Sequence, residues 1–122
     1  MTEKSRKILK LCIEAAMEKK AEDIVVLRVG EVTDIADYFL ICSAGSSRHV
    51  QTIADAIEGT LGPRGIRPFG IEGYREAKWI LLDYNEVVVH IFYVPMREYY
   101  ALERLWSDAP MVDLEELMGK EI

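Results

Sequence analysis

Ile8, Leu11, Cys12, Ala15 and Ala16 recur three and four residues apart, the spacing of one helix face. They predict an amphipathic helix over roughly residues 4–20, with Thr2 or Ser5 as its cap. The period then changes. DIVVLRVG, residues 23–30, is a β-branched run closed by Gly30 and reads as a strand. Residues 31–37 form a polar connection, and YFLICSA, residues 38–44, reads as a second, buried strand. The turn Ala44-Gly45-Ser46-Ser47 follows, and Ser46 or Ser47 offers a hydroxyl to cap the next helix. Val50, Ile53, Ala54, Ile57 and Leu61 share a face of that helix, and Gly62-Pro63 stops it.

RPFGIEG completes a strand–helix–strand pattern for which a right-handed crossover is expected. KWILLDY and EVVVHIFYV are two more strands. Tyr84-Asn85 joins them, which predicts an antiparallel hairpin. Pro95 suits the first turn of a helix. A last helix is expected over roughly 96–106, with Tyr99, Leu102 and Trp106 on one face. The order α-β-β-α-β-β-β-α implies a mixed five-stranded sheet flanked by helices, an α/β or α+β domain. One domain over residues 1–108 is expected, followed by an acidic tail, 109–122, that is short and amphipathic or mobile.

A length of 122 residues fits this single domain. The formal net charge of −6 opposes broad binding to nucleic acid, where Lys and Arg must displace condensed counterions. It suits a basic protein partner better. Cys12 and Cys42 each lie in an apolar pattern outside any C-x-x-C pair, so both are expected to be buried, reduced thiols. No stretch has the apolar length of a membrane span, and MTEKSRKILKLC lacks the core of a signal peptide. A cytoplasmic protein without membrane contact is the expectation.

The Gly45-Ser46 turn raises the question of phosphate chemistry, because such turns hold phosphates in nucleotidyltransferase-like folds. That chemistry needs paired carboxylates to hold magnesium against the transferring phosphoryl group. RPFGIEG contributes only Glu72, the next strand only Asp83, and no two carboxylates stand two apart on a strand. Nucleotidyl transfer using Gly45-Ser46 and Asp83 is therefore the minor alternative to a plain strand-to-helix turn. Ser46, Ser47, His49 and Asp55 lack the spacing of a catalytic triad. His90 has no ligand-spaced cluster around it in sequence, so no metal and no cofactor are expected. Arg64, Arg67, Arg75 and Lys78 form a modest basic cluster interrupted by Glu72 and Glu76, which reads as solvated surface before RNA contact. Residues 79–106 are the richest in aromatics. Strand alternation puts Trp79, Leu81 and Asp83 on one face and His90 with Phe92 on a common face of the partner strand. Such residues make cores or interface hot spots.

ADYFLICSAGSSRHVQTIAD, then EG near residue 72, then WILLDYNEVVVHIF and REYYALERLW, stand in an order and spacing that resemble the ribosomal silencing factor family, related to Iojap. The resemblance covers roughly residues 5–108 and is far more specific than any one motif. It implies a nucleotidyltransferase-like fold without catalysis. It also implies binding to the large ribosomal subunit at universal ribosomal protein fourteen, on the face that meets the small subunit, so that joining is blocked and translation falls. Carried over residue by residue, it implies partner contacts by Trp79, Leu81 and Asp83, with Tyr84 and His90 nearby. Arg48 and His49 match the SSRHV segment, either at the surface or bracing the turn. Tyr100, Glu103 and Trp106 match the terminal helix motif. Minor ribosomal RNA contacts and a homodimer in the free protein complete the expectation.

Overall fold

In the computed structural model, which describes residues 2–119, the first helix α1 spans Glu3–Glu18. Thr2 caps it, and Ser5 returns the bond: each hydroxyl accepts from the other residue's backbone N–H at 3.0 Å. Both cap candidates thus act together, as a capping box. Five strands follow: β1 Glu22–Leu27, β2 Tyr38–Ala44, β3 Gly70–Glu72, β4 Trp79–Asp83 and β5 Val87–Tyr93. Between β2 and β3 lies helix α2, Ser47–Leu61, capped by Ser46, whose hydroxyl accepts from the His49 N–H at 3.0 Å. Ser46→Ala is expected to cost about 1 kcal/mol of stability in a denaturant titration, the usual worth of such a cap.

The strands form one mixed sheet in the order β1-β2-β5-β4-β3. β2 and β5 are parallel neighbours, and the β4–β5 hairpin is antiparallel as expected. The strand–helix–strand pattern holds only in part. β3 is not a neighbour of β2 but lies at the far edge, beyond β5 and β4. The reason is burial. VVVHIFY and YFLICSA are continuous apolar runs that need cover on both faces and so take the centre, whereas the three residues of β3 are short and largely exposed. β1 also ends earlier than its apolar run: Val29–Glu31 turns into a 3₁₀ segment, with the Gly30 N–H bonded to the Asp37 carbonyl at 3.0 Å.

Helices α1 and α2 cover one face of the sheet. Ile8, Leu9, Ile13, Ile53, Ile57 and Leu61 pack there against Leu40, Ile80, Leu82, Val89 and Ile91. Cys12 and Cys42 lie in this core as free thiols, and burial pushes the Cys42 thiol up to about 12. The opposite face carries Leu27, Phe39, Ile41 and Phe92, with less cover.

The expected single helix over 96–106 is two. Helix α3 spans Val94–Tyr100 and α4 spans Leu102–Leu105, with Ala101 between them at φ +48°, in the left-handed region. The break buries Leu102 while leaving Tyr99 76% exposed, so Tyr99 and Leu102 do not share a face. The described part of the stretch set apart as a tail, residues 109–119, packs onto the domain, and residues 120–122 lie outside the described residues. The Val112 N–H bonds the Val26 carbonyl at 2.9 Å, Met111 bridges Leu27, and Leu117 of α5, Leu114–Met118, is buried in the helix-side core. Among the described residues no helix is long and apolar enough to cross a membrane.

Candidate functional site

The hairpin register puts Trp79 opposite Phe92, Leu81 opposite His90 and Asp83 opposite Val88. β2 adds Phe39 beside Val88 and Ile41 beside His90. All of these point away from α1 and α2, because Ile80 and Leu82, one position over, are buried beneath those helices. An aromatic layer results. Trp79 stacks on Phe92 at 4.9 Å between ring centroids and meets Tyr100 at 4.8 Å. Phe39 meets His90 edge-on at 4.7 Å and Trp106 at 5.1 Å. Trp79 and Leu81 remain half-exposed, and Tyr100 is exposed beside Trp79 with Tyr99, also exposed, against it. The sheet thus presents an apolar face with Glu72 and Asp83 at its rim.

His90 sits beneath this face. The residue is 3% exposed, and the Trp79 indole N–H donates to its Nδ1 at 3.2 Å. An indole can only donate, so Nδ1 carries the lone pair and the neutral ring holds its proton on Nε2. That Nε2 is buried without a hydrogen-bond partner among the described residues. Burial lowers the His90 pKa to about 4, which keeps the ring neutral at physiological pH.

Of the ten expected contact residues, Trp79, Leu81, Asp83, His90, Tyr100 and Trp106 are gathered on or just under this face. Asp83 also shapes the hairpin turn, where its Oδ1 accepts from the Asn85 N–H at 2.8 Å. Tyr84 is a correction. It is 2% exposed and packs in the helix-side core, its hydroxyl without a hydrogen-bond partner among the described residues, so it does not stand on the face of Trp79. Arg48 and His49 stand on α2, across the sheet. Arg48 is exposed, while His49 Nε2 lies 2.6 Å from the Lys19 carbonyl and braces the end of α1. Glu103 is engaged by Arg97, with both carboxylate oxygens bonded, at 2.9 and 3.2 Å.

Two residues that shape the site were not among the candidates. Arg97 ties α3 to α4 through Glu103 and to β2 through Ser43. Gly73, at φ +78°, lets the loop before β4 pass close to the Trp79 carbonyl. Only the glycine of the EG pair hinted at it.

The minor alternative does not assemble. Asp83 is in register with Val88, and Val88 with Phe39, which lies five residues before Ala44. At the rise of a strand this sets Asp83 about 17 Å along the sheet from the Gly45-Ser46 turn, too far to share a metal-bound phosphate. The Ser46 hydroxyl accepts from the His49 N–H as the cap of α2.

Known proteins share this architecture. The chain is 45% identical over 115 residues to the ribosomal silencing factor of Bacillus subtilis, covering 94% of this chain and 96% of that one. It is 43% identical over 115 residues to that of Halalkalibacterium halodurans, covering 94% and 98%. A crystal structure of a Chromobacterium violaceum protein matches with a TM-score of 0.82 at 32% identity, over 88% of both chains. The family model described as "Ribosomal silencing factor during starvation" matches residues 2–121, so the chain belongs to the ribosomal silencing factors, a family of translation regulators.

Proposed function

We propose that this protein acts by occupancy and not by turnover: it binds the large ribosomal subunit through universal ribosomal protein fourteen and blocks joining of the small subunit. The observation that carries this reading is the half-open aromatic face of β4, β5 and α3. Trp79, Leu81 and Tyr100 offer large, rigid apolar groups around which water can be excluded, the composition of a binding hot spot. Such a face on a folded domain marks a contact surface. Its rim is acidic, and the chain carries −6 overall, which complements a basic ribosomal protein. A ligand that occupies the joining surface competes with the second subunit by mass action. Trp79, Leu81, Tyr100 and Trp106 are the proposed contacts, with Asp83 at the rim and minor ribosomal RNA contacts beyond it. In the free protein the same apolar face is where a second copy would dock, as a homodimer. The site of action is the cytoplasm, where ribosomal subunits meet.

The test is co-sedimentation with separated ribosomal subunits. Wild-type protein is expected with the large subunit only. Leu81→Asp puts a charge on the face without removing a hydrogen bond and is expected to weaken binding at least about tenfold, since a buried unpaired charge at an interface costs more than 1.4 kcal/mol. Trp79→Ala is a less clean probe: it also strips the partner from His90 Nδ1 and uncovers Phe92. Binding by Leu81→Asp equal to wild type would remove this face from the contact.

A further inference from the structure

We propose that the Arg97–Glu103 pair is the positioning element of the aromatic face: it clamps the helix break at Ala101 and thereby sets the Tyr100 ring on Trp79. The inference rests on the docking reading only for its binding readout. Ala101, at φ +48°, is strained for a residue with a Cβ, and the surroundings must hold it there. Arg97 stands four residues before the break and Glu103 two after it. The guanidinium Nε donates to Glu103 Oε1 at 2.9 Å and Nη2 to Oε2 at 3.2 Å, a two-bond fork that fixes the relative orientation of α3 and α4. Its third arm, Nη1, donates to Ser43 Oγ at 3.0 Å, and Ser43 in turn donates to the Glu22 carbonyl at 3.3 Å. The corner is thereby registered on β2 and β1, next to Phe92, the strand partner of Ser43.

Exposed ion pairs of this kind contribute little, but this one is only partly solvated: the side chain of Arg97 is 13% exposed and that of Glu103 is 36% exposed. Losing one member leaves the other poorly solvated and frees the corner. Tyr100 sits at the end of α3, just before the break, and touches both Trp79 and Phe92. Its ring therefore moves with the corner. Glu103, with both oxygens bonded to Arg97, acts through Tyr100 and not as a contact of its own.

The experiment combines binding with emission. Arg97→Lys keeps the charge and loses the fork. It is expected to weaken large-subunit binding about tenfold, the worth of a lost charge-assisted bond. In a Tyr100→Ala background the same change is expected to cost less than about twofold, because residues that act through one another are not additive. Glu103→Gln is expected to show the same coupling and serves if Arg97→Lys folds poorly. Emission is read in a Trp106→Phe background, where Trp79 is the sole tryptophan. Arg97→Lys is expected to shift Trp79 emission as Tyr100→Ala does. Full tenfold losses in both backgrounds would make Arg97 a direct contact and overturn the proposal, as would unchanged Trp79 emission. If wild-type protein fails to bind the large subunit, the docking reading falls while the emission result still decides the positioning role.

Discussion

Gly73→Ala is expected to cost about 3 kcal/mol or more of folding stability, and Gly65→Ala only about 1 kcal/mol, in parallel denaturant titrations. Both glycines have φ +78°. Both substitutions therefore carry the same conformational penalty for a Cβ in the left-handed region. Their surroundings differ. Around Gly65 a Cβ meets nothing within 4 Å, whereas at Gly73 it would lie 2.1 Å from the Trp79 carbonyl oxygen and 3.2 Å from its carbon. Those are backbone atoms at the start of β4, so relief requires moving either the strand or the 73–78 loop. The loop is held: the Ala77 N–H bonds the Gly73 carbonyl at 2.9 Å, the Gln51 amide bonds the Tyr74 carbonyl at 2.9 Å, and the Tyr74 hydroxyl bonds Asp55 at 2.9 Å. The strain therefore falls on Trp79, and weakened large-subunit binding is expected in any Gly73→Ala protein that still folds. Equal losses at the two positions would show that the close approach costs nothing and that only the backbone angle matters.

The elements were mostly legible because local chemistry marks their ends. YFLICSA is bounded by Asp37 and Gly45, and β2 spans those seven residues. Ser46 and Gly62-Pro63 bracket α2 in the same way. The strand order was not legible. β2 and β5 are neighbours although about fifty residues separate them, and no turn chemistry joins them; the pairing is decided by which runs need cover on both faces. The break at Ala101 was hidden for a related reason. REYYALERLW keeps helical spacing throughout, whereas in the fold Ala101 turns left-handed, Arg97 reaches Glu103 across it and Leu102 turns inward, packing that overrides local propensity.

The site divides along the same line. Alternation on β4 was enough to put Trp79, Leu81 and Asp83 together, and the hairpin added His90 and Phe92. The same alternation argues against Tyr84, which continues the parity of Ile80 and Leu82, and its ring is indeed buried with theirs. Its nearness in sequence to Asp83 was the misleading signal. Glu103 was named because it matches the terminal helix motif; the guanidinium that occupies it comes from six residues earlier, across a break that helical spacing conceals. Gly73 belonged to a recognisable segment, yet its reason lies in the carbonyl of a residue six positions on, in a turn whose path no local pattern specifies.

Acid should weaken this protein through His90 well before its native ring takes up a proton. In the unfolded chain the imidazole titrates near 6.5; in the fold, burial lowers that to about 4. Between these two values the unfolded state binds a proton that the native state refuses. Stability is therefore complete, with respect to this group, above about pH 6.5, and falls as the pH drops toward 4. A displacement of this size amounts to about 3 kcal/mol, to order of magnitude. Below the folded pKa this group takes nothing further. His90→Gln removes the titration while leaving an amide oxygen able to accept from the Trp79 indole. The stability difference between wild type and this variant, followed from pH 7 to pH 4, is expected to move by about 3 kcal/mol against the wild type. Trp79 gives the reaction a second readout. Protonation must occur on Nδ1, since Nε2 already carries the ring's proton, and a protonated Nδ1 can no longer accept the indole N–H. Loss of the 3.2 Å bond then accompanies charging of the ring, and Trp79 emission should change near the folded pKa in wild type but not in His90→Gln. A pH-independent difference between the two proteins would mean that water reaches His90 in the native state, and that the aromatic face is not closed over its floor.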